Sequence, residues 1–127
     1  MAVQLNHTIV PSRDKTVSAT FLARILGLPA PAAFGHFVAV ALANGVTLDY
    51  DNSTEVPSQH YAFLVDEVDF DAIFERVKAD AIPYYADPGH RRKQEINTRD
   101  GGRGFYFADP DGHNLEVLTR PYGSGRL

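Results

Sequence analysis

Three side chains in this chain are of the types that hold a divalent metal ion through nitrogen and oxygen: His7, His60 and Glu116. The chain has no cysteine, so thiolate metal sites and disulfides are excluded, and any metal must be held by His and carboxylate alone. Two histidines and one carboxylate leave coordination positions open for substrate, oxygen or water. The three are far apart in sequence, so a helical His-x-x-x-His arrangement does not apply and separate strands must deliver them. Glu116 lies within an apolar strand pattern, where a carboxylate is costly unless something positive sits opposite it. The plainer readings are a packed strand histidine, in either case, and an ion-paired surface Glu116 if its register shifts by one residue. Asp49 is a candidate fourth ligand or a solvated strand end. His36, Arg103 and Arg120 are candidates to touch a substrate, the arginines alternatively balancing carboxylates. His113 reads as structural and His90 as exposed in a polar loop.

The elements that must position these residues follow from periodicity. Phe105 to Thr119 reads as strand, tight turn, strand, with Asp109-Pro110-Asp111-Gly112 supplying the turn residues. On the returning strand Asn114, Glu116, Leu118 and Arg120 share one side. Val3 to Val10 alternates as a strand that places His7 with Val3, Leu5 and Ile9 on an apolar face. Ser12 or Asp14 can cap the following helix, in which Val17, Phe21, Leu22 and Ile25 recur at helical spacing until Gly27 and Pro29. Phe34 to Leu42 reads as one strand containing His36, with an Asn44-Gly45 turn and a partner strand at Val46 to Tyr50. Residues 51–58 read as a link. His60 to Val65 reads as a strand, and Asp69 as the cap of a helix carrying Phe70, Ile73, Phe74 and Val77. A short strand is expected at Pro83 to Ala86, then a basic polar loop over Pro88 to Asp100.

The second half repeats the first. Aligning His7 with His60 brings Val17 onto Phe70 and Phe21 onto Phe74 without a gap. Aligning the Asn44-Gly45 turn with Asp111-Gly112 brings Asp49 onto Glu116. The predicted architecture is α+β: two βαβββ modules, about residues 1–52 and 58–121, within a single domain over 1–127. They form a curved, mostly antiparallel sheet around a metal-binding hollow.

Composition narrows the function. At 127 residues with 44% hydrophobic and 22% charged content, the chain has the make-up of an ordinary globular domain. A net charge of −4 argues against nucleic-acid or anionic-membrane partners, and no stretch is apolar and long enough to span a bilayer. The N-terminus lacks a signal-peptide pattern, and a cytoplasmic location is expected. No P-loop and no Gly-x-Ser-x-Gly elbow is present.

Leu5-Asn6-His7, His60-Tyr61-Ala62-Phe63 and the run from Phe107 through Asp109-Pro-Asp-Gly-His113 to Leu115-Glu116 resemble the vicinal oxygen chelate superfamily. That superfamily includes glyoxalase I, extradiol dioxygenases, fosfomycin-modifying thiol transferases and bleomycin-resistance binding proteins. The resemblance implies paired βαβββ modules, His7, His60 and Glu116 as ligands of a divalent metal, and a homodimer whose site is open to assembly from both chains. It implies a metal-dependent lyase or dioxygenase acting on a small substrate chelated through two neighbouring oxygens, with Glu116 also in the catalytic role. Zn, Ni, Mn and Fe(II) all suit such ligands. The thiol transferases resemble the chain in Asn6-His7 and Asp-Pro-Asp-Gly-His. Ile9, however, stands where they usually carry a threonine, and Arg99-Asp-Gly-Gly-Arg-Gly104 replaces their potassium loop. A metal-independent binding protein for a flat drug or metabolite is a further alternative, motivated by eight Phe and six Tyr.

Overall fold

The computed structural model describes residues 2–125, in which strands β1 (His7–Ser12), β2 (Ala32–Phe34), β3 (Phe37–Ala41), β4 (Thr47–Asn52), β5 (His60–Leu64), β6 (Gly104–Ala108) and β7 (Asn114–Leu118) accompany helices α1 (Lys15–Leu26) and α2 (Glu67–Ala79). The chain divides into two compact units, Met1–Pro57 and Ser58–Leu127. Hydrogen bonding sorts the strands into two mixed sheets, one per unit, in the orders β1-β4-β3-β2 and β5-β7-β6, giving an α+β fold.

In unit one, α1 begins where Asp14 accepts from the amides of Thr16 and Val17, and it ends at Gly27, whose φ of 71° suits a glycine cap. Its buried side is Ser18, Ala19, Leu22, Ala23 and Ile25, so Val17 of the expected apolar stripe is left exposed. The helix packs on the sheet face carrying Val10, Val40, Leu48 and Tyr50. His7 and Ile9 lie on the opposite face, with Thr47, Asp49 and Asp51. The expected apolar alternation fails as a guide here because Val3 and Leu5 precede the strand. Both are exposed, Val3 at 96%, as is Ile9. The stretch read as one strand from Phe34 to Leu42 is a hairpin: Gly35, at φ 58°, and His36 turn β2 back along β3. His36 therefore sits at a turn.

In unit two, Asp66 caps α2 by accepting from the Asp69 amide, three residues before the expected cap. Phe70, Ile73 and Val77 are buried as their spacing predicts. Phe70 and Phe74 meet Phe105 at ring separations of 5.4 and 5.3 Å, joining helix to sheet. The strand expected at Pro83 to Ala86 shrinks to isolated bridges at Tyr85, with Tyr106 on one side and Lys93 on the other. Pro83 has no amide hydrogen to extend the ladder, and the chain peels off into the basic loop. Gly112 takes φ 83° in the hairpin turn, where Asp109 Oδ1 accepts from the amides of Asp111 and His113.

The two sheets share a register rule. The opening strand runs parallel to the last strand, His7 opposite Thr47 in one unit and His60 opposite Asn114 in the other. The acid two residues further along, Asp49 or Glu116, thus stands diagonally across from its histidine on the same face. The sequence repeat is a repeat of strand pairing.

Candidate metal centre

Each histidine has one ring nitrogen fixed by a neighbouring oxygen. His7 Nδ1 lies 2.7 Å from the Asn6 side-chain oxygen, and His60 Nδ1 lies 2.9 Å from the Asn114 carbonyl. Those oxygens can only accept, so Nδ1 carries the proton in both rings and Nε2 is the nitrogen available as a ligand. Metal-bound histidines are ordinarily oriented by such a bond.

His60 Nε2 lies 3.0 Å from Glu116 Oε1. Because β5 and β7 are parallel and in register, Ala62 is the direct partner of Glu116 and His60 reaches across from two residues earlier. Glu116 is only 1% exposed and faces away from α2, on the side of the sheet that carries Tyr106, its direct partner on β6. A lone pair on Nε2 facing a carboxylate oxygen at this distance would repel it, so a proton or a cation must lie between them. An oriented imidazole nitrogen beside a desolvated carboxylate oxygen is also a donor set of the kind that holds a divalent ion.

The other Glu116 oxygen, Oε2, accepts a hydrogen bond from the Tyr122 hydroxyl. Tyr122 in turn lies 2.8 Å from the Tyr106 hydroxyl, which accepts from Arg99 Nη1 at 2.9 Å. Burial, then the bond to Glu116, push the Tyr122 hydroxyl well above the usual tyrosine range. His60, Arg99, Tyr106 and Tyr122, with Pro88, Asp100 and Gly123, line an open cleft of about 710 Å³ within unit two. Tyr106 and Tyr122 are not among the expected site residues, and Arg99 is expected only as part of the basic loop. Tyr106 was accessible by counting back from the Asp-Pro-Asp-Gly turn to the residue opposite Glu116. Arg99 arrives from a single 3-10 turn over Arg99–Gly101 and Tyr122 from the turn after β7, both too short for any periodicity to report.

The remaining expected residues are placed as follows. Asp49 is buried on the His7 face of unit one. His36 is exposed, with Nε2 3.5 Å from Asp51. Arg103 bridges Glu67 and Asp71 of α2, each at 2.8 Å, and stacks over Phe70. Arg120 donates to the Ser124 carbonyl at 3.1 Å. Arg103, Arg120 and His36 do not line the cleft. His113 is fully buried and accepts from the Gln59 amide at 3.0 Å, a structural role. His90, expected to be exposed, is half-buried, stacked on Tyr85 and bonded to the Asn114 side chain at 2.8 Å.

Among the described residues, one group of three metal-type donors gathers, Asp109, Asp111 and His113, within 4.8 Å of one another. Backbone amides already occupy Asp109 Oδ1 and His113 Nδ1, so much of its donor capacity is spent on shaping the turn. Burial raises the Asp109 carboxyl above the ordinary aspartate range, and its Oδ2 has no hydrogen-bond partner.

Known proteins give this geometry a setting. The solved structure of Oxidase ChaP-H2 is 60% identical and superposes with a TM-score of 0.96, covering 98% of this chain and 99% of that one. Glutathione transferase FosA of Serratia marcescens is 33% identical over 124 residues, 92% of this chain and 81% of that protein. Metallothiol transferase FosB of Shouchella clausii (strain KSM-K16) is 31% identical over 127 residues, 91% of this chain and 79% of that protein. A model of the Glyoxalase/Bleomycin resistance protein/Dioxygenase superfamily matches residues 4–117. That span takes in His7, His60, the hairpin and Glu116, the residues whose spacing suggested the vicinal oxygen chelate proteins, and the chain belongs to this superfamily.

Proposed function

We propose that the protein is a metal-dependent enzyme of the glyoxalase/dioxygenase type that oxidises a small substrate chelated through two neighbouring oxygens. The superfamily uses a divalent metal ion as cofactor. The observation that carries the reading is the His60–Glu116 pair, a buried carboxylate oxygen and an oriented imidazole nitrogen 3.0 Å apart on one face of the sheet. His7, with Nε2 left available in the same way on an exposed face, and Asp49 on that face are the further ligands of this reading, contributed by this chain or by a second copy. A divalent ion held by these residues would supply Lewis-acid polarisation of the substrate oxygens and stabilise negative charge developing on them. Glu116 offsets part of the metal's charge while the neutral histidines leave it electrophilic. Arg99, with N–H groups beyond the one given to Tyr106, offers donors along the cleft to an oxygen-bearing planar substrate, and Tyr106 and Tyr122 line the cleft beside it. The roles expected of Arg103, Arg120 and His36 pass to these three, because the former are engaged in other contacts. The enzyme works as a homodimer in the cytoplasm, and the exposed Val3, Leu5 and Ile9 beside His7 are the surface a second copy would cover.

Oxidation is favoured over thiol transfer by the 60% identity to an oxidase against 33% to a glutathione transferase. Metal analysis of untagged protein, beside His7→Ala, His60→Ala and Glu116→Ala, tests the centre. Wild type should retain metal and each variant should lose it; unchanged content in all three would overturn the assignment. Dioxygen uptake should be metal-dependent with aromatic substrates bearing adjacent oxygens. Metal-dependent consumption of glutathione instead would favour the transferase reading.

A further inference from the structure

The chain beyond β7 returns to the cleft, and its return is held on both sides of Tyr122. Asp100 accepts from the amide of Gly123 at 3.1 Å and from that of Gly125 at 3.3 Å. Arg120 holds the Ser124 carbonyl, and the Ser124 amide closes a turn onto the Pro121 carbonyl at 3.1 Å. Gly125 lies so close to Asp100 that a Cβ there would meet backbone atoms at 2.9 Å. Burial of the ring does not explain this arrangement, because Tyr122 is 57% exposed. What the tail delivers is the hydroxyl.

The direction of the hydrogen-bond chain is set by chemistry. Arg99 can only donate and the Glu116 carboxylate can only accept, so Tyr122 spends its one proton on Glu116 Oε2, and Tyr106, accepting from Arg99, donates to Tyr122. The carboxylate is thus gripped at one oxygen, while the other, Oε1, faces His60 Nε2. We propose that Tyr122 is a positioning residue which, brought in by the Asp100-anchored tail, reserves Glu116 Oε2 and so presents Oε1 alone to the metal ion. This rests on the metal-centre reading above. The tail is then a working part of the site: unseating it frees the carboxylate to rotate and removes the pre-set geometry for one-oxygen ligation.

Titration of the metal-free full-length protein with Mn2+, followed by the loss of the free-ion EPR signal, tests the proposal. Tyr122→Phe should weaken Mn2+ binding by about tenfold, the lower end of what loss of a ligand-orienting hydrogen bond costs. Asp100→Ala, which releases the tail without touching the ligands, should weaken it in the same direction. The metal-free melting temperatures should match wild type, since neither side chain is part of the core. Unchanged or tighter Mn2+ binding by Tyr122→Phe, or a lowered melting temperature with unchanged affinity, overturns the proposal. Failure of the underlying reading looks different: wild type then binds no Mn2+, or His60→Ala binds it as well as wild type.

Discussion

At the scale of the residue, the site depends on which atom of each ring or carboxyl is already committed. His60 spends Nδ1 on the Asn114 carbonyl, and Glu116 spends Oε2 on Tyr122, so one nitrogen and one oxygen remain to face each other. The same reasoning makes a prediction for Asp109, whose Oδ1 serves two turn amides while Oδ2 is buried without a partner. Its carboxyl is raised by burial above the ordinary value of 3.8, so the folded protein holds that proton more tightly than the unfolded chain does. This group therefore adds stability at low pH, and the gain is lost as pH rises from 3.8 through the raised folded value. Asp109→Asn keeps the accepting oxygen and removes the charge. Relative to wild type it should gain stability as the pH is raised toward neutrality, measured as the urea midpoint across that range. Parallel pH profiles for the two proteins would refute the account.

At the scale of the element, caps and turns decide how side chains are aimed. Asp14 accepts from two amides at the start of α1, and Asp14→Ala should cost about 1 kcal/mol of unfolding free energy, read from urea denaturation. Phe105 is fully buried where β6 meets α2, and Phe105→Ala should cost roughly 3–5 kcal/mol, a loss large enough to threaten folding itself. Arg103 is the complementary case. Its two carboxylate partners and the Phe70 ring make it a brace between β6 and α2. Being largely surface pairs, these contacts are worth little singly. Arg103→Ala should therefore leave metal affinity unchanged and lower stability only modestly.

At the scale of the whole molecule, the two units repeat a strand pairing while differing in what it carries. Unit one closes its sheet with a full hairpin, whereas unit two replaces the outer strand with isolated bridges at Tyr85 and opens a cleft lined by its loop and tail. Metal that binds only the folded state should stabilise it by mass action, about 2.7 kcal/mol at a hundredfold excess over Kd. A chelator should accordingly lower the melting temperature of wild type and not that of His60→Ala. The exposed Val3, Leu5 and Ile9 lead to a second expectation at this scale: light scattering should give a dimer mass, and Ile9→Glu should shift it toward the monomer. Among the described residues no helix is long and apolar enough to cross a membrane.

The sequence by itself determined the features that depend on local chemistry and period. Helix α2 and its buried Phe70, Ile73 and Val77, the Asp-Pro-Asp-Gly turn, and the correspondence of His7 with His60 and Asp49 with Glu116 are all readable because each involves near neighbours or a fixed repeat. Tertiary structure decided the rest. Which face of β1 is buried depended on where α1 packs, not on the alternation of Val3, Leu5 and Ile9. The partners of Glu116 depended on an arginine, two tyrosines and a tail drawn together from β6, a 3-10 turn and the chain's end. Hydrogen bonds between residues distant in sequence leave no periodic trace, so only the folded chain could name them.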